Sequence, residues 1–228
     1  SSEKILLKKV EQYPGIITTN SCLEVLTSPD INTVAIATPA EQHYFLAKKA
    51  LLADKHVFVE KPLSITAQEG EDLVKTAKQK NKVLFVGHIL QYHLAVQTVK
   101  KMLQRGELGK LQYIYSNRLN LGKIRREENI LWSFAPHDIS VILSLVGEEP
   151  VEVTAAGTNI LQPEIADTTV TNMKFPSGVG AHIFVSWLHP FKEQKMVIIG
   201  DRKMVVFDDT APISQKLMLY PHQISWEG

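Results

Sequence analysis

The chain has 228 residues, enough for one large domain or two small ones, and its 44% hydrophobic and 21% charged content excludes a disordered polypeptide. Lys plus Arg is 25 against 24 for Asp plus Glu, so the formal net charge of +1 excludes nucleic-acid binding driven by bulk charge. No apolar run is long enough to span a bilayer, and the lone cysteine, Cys22, excludes an intramolecular disulfide or a Cys-rich zinc site and fits a reducing cytoplasm.

Residues 1–9 mix apolar and charged positions at helical spacing, which predicts an amphipathic helix rather than a signal peptide. Short apolar runs at 33–37, 56–59 and 82–86 alternate with helical stretches at 41–54 and 66–81, the rhythm of parallel strands with crossover helices. Thr66 with Glu69 three residues later reads as a capping box opening the second of these helices. A further helix is predicted over 94–105, closed by Gly106. From about residue 110 the period falls to two, with strands at 111–121, 151–154, 168–175, 179–188, 195–199 and 204–207. Turn residues at 176–178 and 200–202 predict hairpins, and one helix over 135–146 interrupts the strands. The fold class is therefore α/β: a domain with a parallel sheet over 1–90, then an α+β domain over 91–228 with an open, mostly antiparallel sheet. A broad face of that sheet, including Phe184, Trp187 and Met196, is expected to be covered by another subunit in a homodimer or homotetramer.

Glycine-rich phosphate loops are absent: Gly178-Val-Gly180 has no third glycine and reads as a hairpin turn. His88 and His93 are five apart, off a shared helical face, so no protein-bound metal is expected. Four constellations remain. The strand at 57–59 ends in Glu60-Lys61-Pro62, and ligands of open α/β sheets bind at the carboxyl ends of strands. Pro62 is a candidate cis peptide, and a lysine placed there can donate to a substrate hydroxyl oxygen or help deprotonate it. On charge pattern alone the same residues read as an ion pair ending a strand. The previous strand runs through Thr38-Pro39 to His43, where a helix start can meet a phosphate or ribose, or where a simple turn precedes a partly buried histidine. In Pro136-His137-Asp138 the proline is read as beginning a helix. His137 then falls in the first turn, where the dipole favours neutral imidazole as a base. Arg118 and Asn120 project to one face of a strand that runs into Lys123, Arg125 and Arg126, which together suit a phosphate or carboxylate or form a solvated loop.

Taken in order, Ile36 to His43, Lys55 to Leu63, Val86-Gly-His88 and Ala135-Pro-His-Asp138 resemble the glucose-fructose oxidoreductase / inositol dehydrogenase (Gfo/Idh/MocA) family of NAD(P)-dependent oxidoreductases. The stretch 117–138 looks like the members that oxidise the 3-hydroxyl of UDP-N-acetylglucosamine or its uronate in bacterial surface-polysaccharide pathways. The resemblance implies NAD as cofactor, with NADP left open, contacted by Thr38, Pro39, His43, Glu60, Lys61 and Pro62. It implies catalysis by His137 assisted by Lys61. A sugar or nucleotide-sugar substrate would be held by Gln91, Tyr92, Arg118, Asn120, Lys123, Arg125 and Asp138. A free-sugar or inositol substrate, or a non-catalytic sugar sensor, are the alternatives. Many relatives carry an aspartate four residues before the histidine, where this chain has Ser133, and a proline where it has Leu94. The family's Gly-x-Gly-x-x-Gly unit and C-terminal helix do not fall within residues 1–228, so weak cofactor binding by this segment alone is expected.

Overall fold

A computed structural model describes residues 3–122, 124–126 and 128–222. The chain divides into two compact units, Ser1–Gly87 and His88–Gly228. Among the described residues no helix is long and apolar enough to cross a membrane.

The first unit runs α1 (Glu3–Gln12), α2 (Cys22–Thr27), β1 (Thr33–Ile36), α3 (His43–Leu52), β2 (His56–Val59), α4 (Ala67–Lys80) and β3 (Leu84–Val86). Its strands pair in parallel in the order β1-β2-β3, with Ile36 opposite Val59 and Val59 opposite Val86. Parallel strands need crossovers, and α3 and α4 supply them. Their apolar faces build the core: Ala47, Ala50 and Leu51 from α3, and Leu73 and Ala77 from α4, close on Ile36, Val57 and Val59. The capping box is present, with the Glu69 amide donating to Thr66 Oγ1 and the Thr66 amide to Glu69 Oε2, each at 3.3 Å. Asn81 ends α4 in the left-handed region at φ 52°. The Lys48 ammonium reaches Asp72 at 2.7 Å and the Tyr44 hydroxyl reaches it at 2.9 Å, tying α3 to α4. The lysine bond, then the tyrosine bond, hold the Asp72 carboxyl below its ordinary range.

The second unit contains α5 (Leu94–Gln104), β4 (Leu111–Leu119), α6 (Ile130–Val146), β5 (Glu152–Thr158), β6 (Thr168–Lys174), β7 (Gly180–Ser186), β8 (Glu193–Gly200), β9 (Lys203–Asp208) and β10 (Leu217–Pro221). The strands form one seven-stranded sheet in the order β10-β9-β8-β4-β7-β6-β5. Only the β4–β7 pair is parallel. The turns at 176–178 and 200–202 join β6 to β7 and β8 to β9 as antiparallel hairpins. One face of the sheet carries the core, in which Ile130, Ala135, Val141 and Ile142 of α6 join Ile114, Met173, Ile183 and Val185 of the strands.

The opposite face presents Tyr113, Tyr115, Val170, His182 and Phe184. Tyr115 stacks on His182 with ring centroids 5.3 Å apart, and the Tyr113 hydroxyl lies 2.9 Å from His182 Nδ1. Gly180 stands opposite Tyr113, where a Cβ would come within 2.7 Å of the ring. Partial burial pushes the His182 imidazole below its ordinary value. Two residues expected on this face are elsewhere: Trp187 and Met196 are buried in the core. Met196 pairs with inward-facing Ser116, and Trp187 shares the parity of Ile183 and Val185.

Candidate active site

The carboxyl edge of the parallel sheet carries the first group of residues. The ladder extends past the strands, with the Glu60 amide donating to the Ile36 carbonyl at 2.9 Å and the Gly87 amide to the Val59 carbonyl at 2.8 Å. Ala37, Glu60 and Gly87 therefore leave the sheet side by side, with Thr38 following Ala37. A Cβ on Gly87 would sit 3.0 Å from Glu60 Oε2, so glycine there leaves the Glu60 carboxylate its place. The Lys61–Pro62 peptide is cis, as the strand exit suggested.

His43 behaves differently from the expectation. It is 1% exposed, and its ring spans two backbone carbonyls, Nδ1 to Pro62 at 2.6 Å and Nε2 to Thr38 at 2.8 Å. Both ring nitrogens are thereby committed to backbone carbonyls. The imidazole braces the turn after β1 against the turn after β2, and so shapes the edge that Thr38 and Glu60 present. Thr38 Oγ1 is buried with no hydrogen-bond partner among the described residues. An orphaned hydroxyl at the carboxyl end of a parallel strand fits a ligand rich in oxygen, such as a dinucleotide.

In the second unit the candidate residues are organised by α6. The helix does not begin at Pro136. It begins at Ile130, where Asn129 Oδ1 accepts from the Trp132 amide at 3.1 Å, and Pro136 lies inside it. His137 is therefore about two turns from the start, and the dipole argument made for it from sequence lapses, because that effect fades within the first turn. A different device holds His137 in place. Asp138 accepts from Arg118 Nε at 2.5 Å, from Arg118 Nη2 at 3.2 Å and from Ser116 Oγ at 2.7 Å, all three donors standing on β4. Both side chains are buried, and their charges satisfy each other. The pair pins the rotation of α6 on the sheet, and with it the direction in which His137 and Ser133, four residues apart on one face, project.

The other expected contacts divide. The Gln91 amide donates to the Ser140 carbonyl at 2.5 Å, which commits it to α6, whereas Tyr92 is exposed. Asn120 sits where β4 ends, its amide donating to Ser186 at 3.1 Å. Lys123 lies outside the described residues. Arg125 Nε lies 3.1 Å from Glu128 Oε1, and that same oxygen accepts from Ser133 Oγ at 2.7 Å. Glu128 was not singled out from sequence. It places a carboxylate against the Ser133 hydroxyl, four residues before His137. Its signal is weak, because an acid just before a helix N-cap reads as solvated charge.

The comparisons agree with these two halves. Residues 2–88 match the GFO/IDH/MocA oxidoreductase family with an NAD-binding Rossmann fold, and residues 96–206 match the GFO/IDH/MocA C-terminal domain. The chain belongs to this family of NAD-binding oxidoreductases. It is 30% identical over 158 residues to the UDP-N-acetylglucosamine 3-dehydrogenase of Acidithiobacillus ferrooxidans, covering 69% of this chain and 49% of that protein. It is 26% identical over 205 residues to the 2,7-anhydro-N-acetylneuraminate hydratase of Escherichia coli, covering 82% of this chain and 55% of the relative. A solved structure of the Acidithiobacillus dehydrogenase superposes with a TM-score of 0.80 at 25% identity, over 94% of this chain and 68% of that one. The chain thus spans about half the length of the curated relatives it matches.

Proposed function

We propose that the chain carries the catalytic residues of an NAD-dependent dehydrogenase that oxidises a sugar hydroxyl, at C3 of a UDP-N-acetylhexosamine or its uronate. The observation that carries this reading is His137 on a helix whose orientation is set by the buried Arg118–Asp138 pair. The named activity of the Acidithiobacillus relative supports the choice of substrate class.

When bound, the nicotinamide supplies the hydride acceptor. Thr38, Pro39, Glu60 and Pro62 line the edge that holds the dinucleotide, and the buried Thr38 hydroxyl finds its partner there. His137 takes the proton of the reacting hydroxyl as a general base, and the Lys61 ammonium stabilises the developing alkoxide. Arg125 and the residues beside it hold the negative charge of the nucleotide or uronate, which orients the ring. The exposed aromatic face of the seven-stranded sheet is where a second copy packs in a cytoplasmic homo-oligomer.

The test is sugar-dependent NADH formation by the native polypeptide and by its Lys61→Ala and His137→Ala variants. Each variant is expected to lose at least about 100-fold in kcat. UDP should compete with the substrate. Activity that survives both substitutions overturns the mechanism, and indifference to UDP overturns the nucleotide-sugar substrate.

A further inference from the structure

The second unit holds a buried carboxylate that the chemistry above does not use. Asp167 is wholly buried one residue before β6, yet three donors converge on it. Trp187 Nε1 donates to Oδ1 at 2.6 Å, and the amides of Ile160 and Leu161 donate to Oδ2 at 2.7 and 2.8 Å. The backbone closes the same knot: the Asp167 amide donates to the Thr158 carbonyl at 2.9 Å, and the Asp167 carbonyl accepts from the Trp187 amide at 3.4 Å. Desolvation alone would raise the Asp167 carboxyl, but the two amides and the indole outweigh it and hold it below the ordinary range. The segment from 159 to 166, which joins β5 to β6, is therefore folded around a fixed anion rather than left as a free surface loop.

That segment reaches in two directions. Gln162 Nε2 donates to the Arg125 carbonyl at 2.7 Å, and the Ala166 carbonyl accepts from the Ile130 amide at 3.0 Å. The first bond holds the backbone of the basic loop. The second satisfies one of the orphan amides at the start of α6, the helix that bears His137. We propose that Asp167 and Gln162 are positioning residues for the substrate: the Asp167-centred knot shapes the 159–166 segment, and Gln162 transmits that shape to Arg125. This rests on the dehydrogenase reading above for the identity of what Arg125 holds, but the bracing itself does not.

Gln162→Ala is the discriminating variant, because it removes the link to Arg125 and leaves the buried knot intact. In the native polypeptide its thermal midpoint is expected to stay within about 2 °C of the parent. Amide hydrogen exchange around Arg125 should quicken while the amides of α6 keep their protection. The KM for UDP-N-acetylglucosamine should rise about fivefold, with kcat changed by less than about twofold. Asp167→Asn should produce the same split with a larger KM effect and a lower thermal midpoint. Unchanged exchange around Arg125 in Gln162→Ala overturns the bracing. Faster exchange with an unchanged KM, or a fall in kcat alone, overturns its role toward the substrate. A parent that turns over no UDP-hexosamine overturns the dehydrogenase reading, and the exchange measurement still decides the bracing.

Discussion

Arg118 and Asp138 meet between β4 and α6 with Nε 2.5 Å from Oδ2, one residue from His137. Removing one member of a buried pair leaves the other charge uncompensated, which costs about 3–5 kcal/mol. Asp138→Ala is therefore expected to lower unfolding stability by that amount in a urea titration. Because the pair also fixes the rotation of α6, kcat should fall at least about tenfold in whatever fraction remains folded. The double variant Arg118→Met with Asp138→Leu should recover much of the stability but not the activity.

The Asp167 carboxyl gives a pH prediction with a definite sign. Its folded-state value is depressed, so its contribution to stability is fully present above the ordinary aspartate range, about pH 4, and is lost as pH falls through the lower folded value. Thermal midpoints measured from pH 7 down to about pH 3 should fall less steeply in Asp167→Asn than in the parent. The variant should start lower at pH 7, and the two curves should converge in acid.

His43 bridges the Thr38 and Pro62 carbonyls from a fully enclosed position. His43→Phe fills the space but removes the donor from the carbonyl that the imidazole N–H serves, at about 1–3 kcal/mol. The expected outcome is a lower thermal midpoint together with weaker NADH binding, read by cofactor fluorescence. Binding at parental affinity would show that the edge keeps its shape without the brace.

Val170 and Phe184 are cross-strand partners on the exposed face of the large sheet. Val170→Asp places a charge within the patch, and sedimentation velocity should then report a smaller species than the parent. A parent that sediments as a single chain would remove the proposed self-association.

Strand and helix periodicity foretold the parallel unit and the switch to a large sheet, because buried parallel strands read as unbroken apolar runs and half-exposed ones alternate. The start of α6 was misread since Pro136 is a conspicuous helix opener, whereas Asn129 before Ile130 is the less visible cap that the chain uses. Met196 was misplaced because the run from Met196 to Ile199 is apolar throughout and carries no parity, which only the pairing with Ser116 supplies. Trp187 could have been placed, since period two groups it with Val185. Both α2 and β10 escaped notice, α2 being only six residues long and β10 an edge strand with little burial. The site divided along a physical line. Candidate residues at strand ends stand out in the local pattern, whereas Gln162 bonds Arg125 across 37 residues and Asp167 bonds Trp187 across 20, which no local spacing reveals.

The His43 brace has a consequence for redesign. Segments 38–43 and 60–64 are joined by a side chain that belongs to one and satisfies a carbonyl of the other. Transplanting either from a relative with different cofactor or substrate preferences would part the ring from one of its two carbonyls. The transferable module is the pair of turns with the histidine between them, exchanged as one cassette.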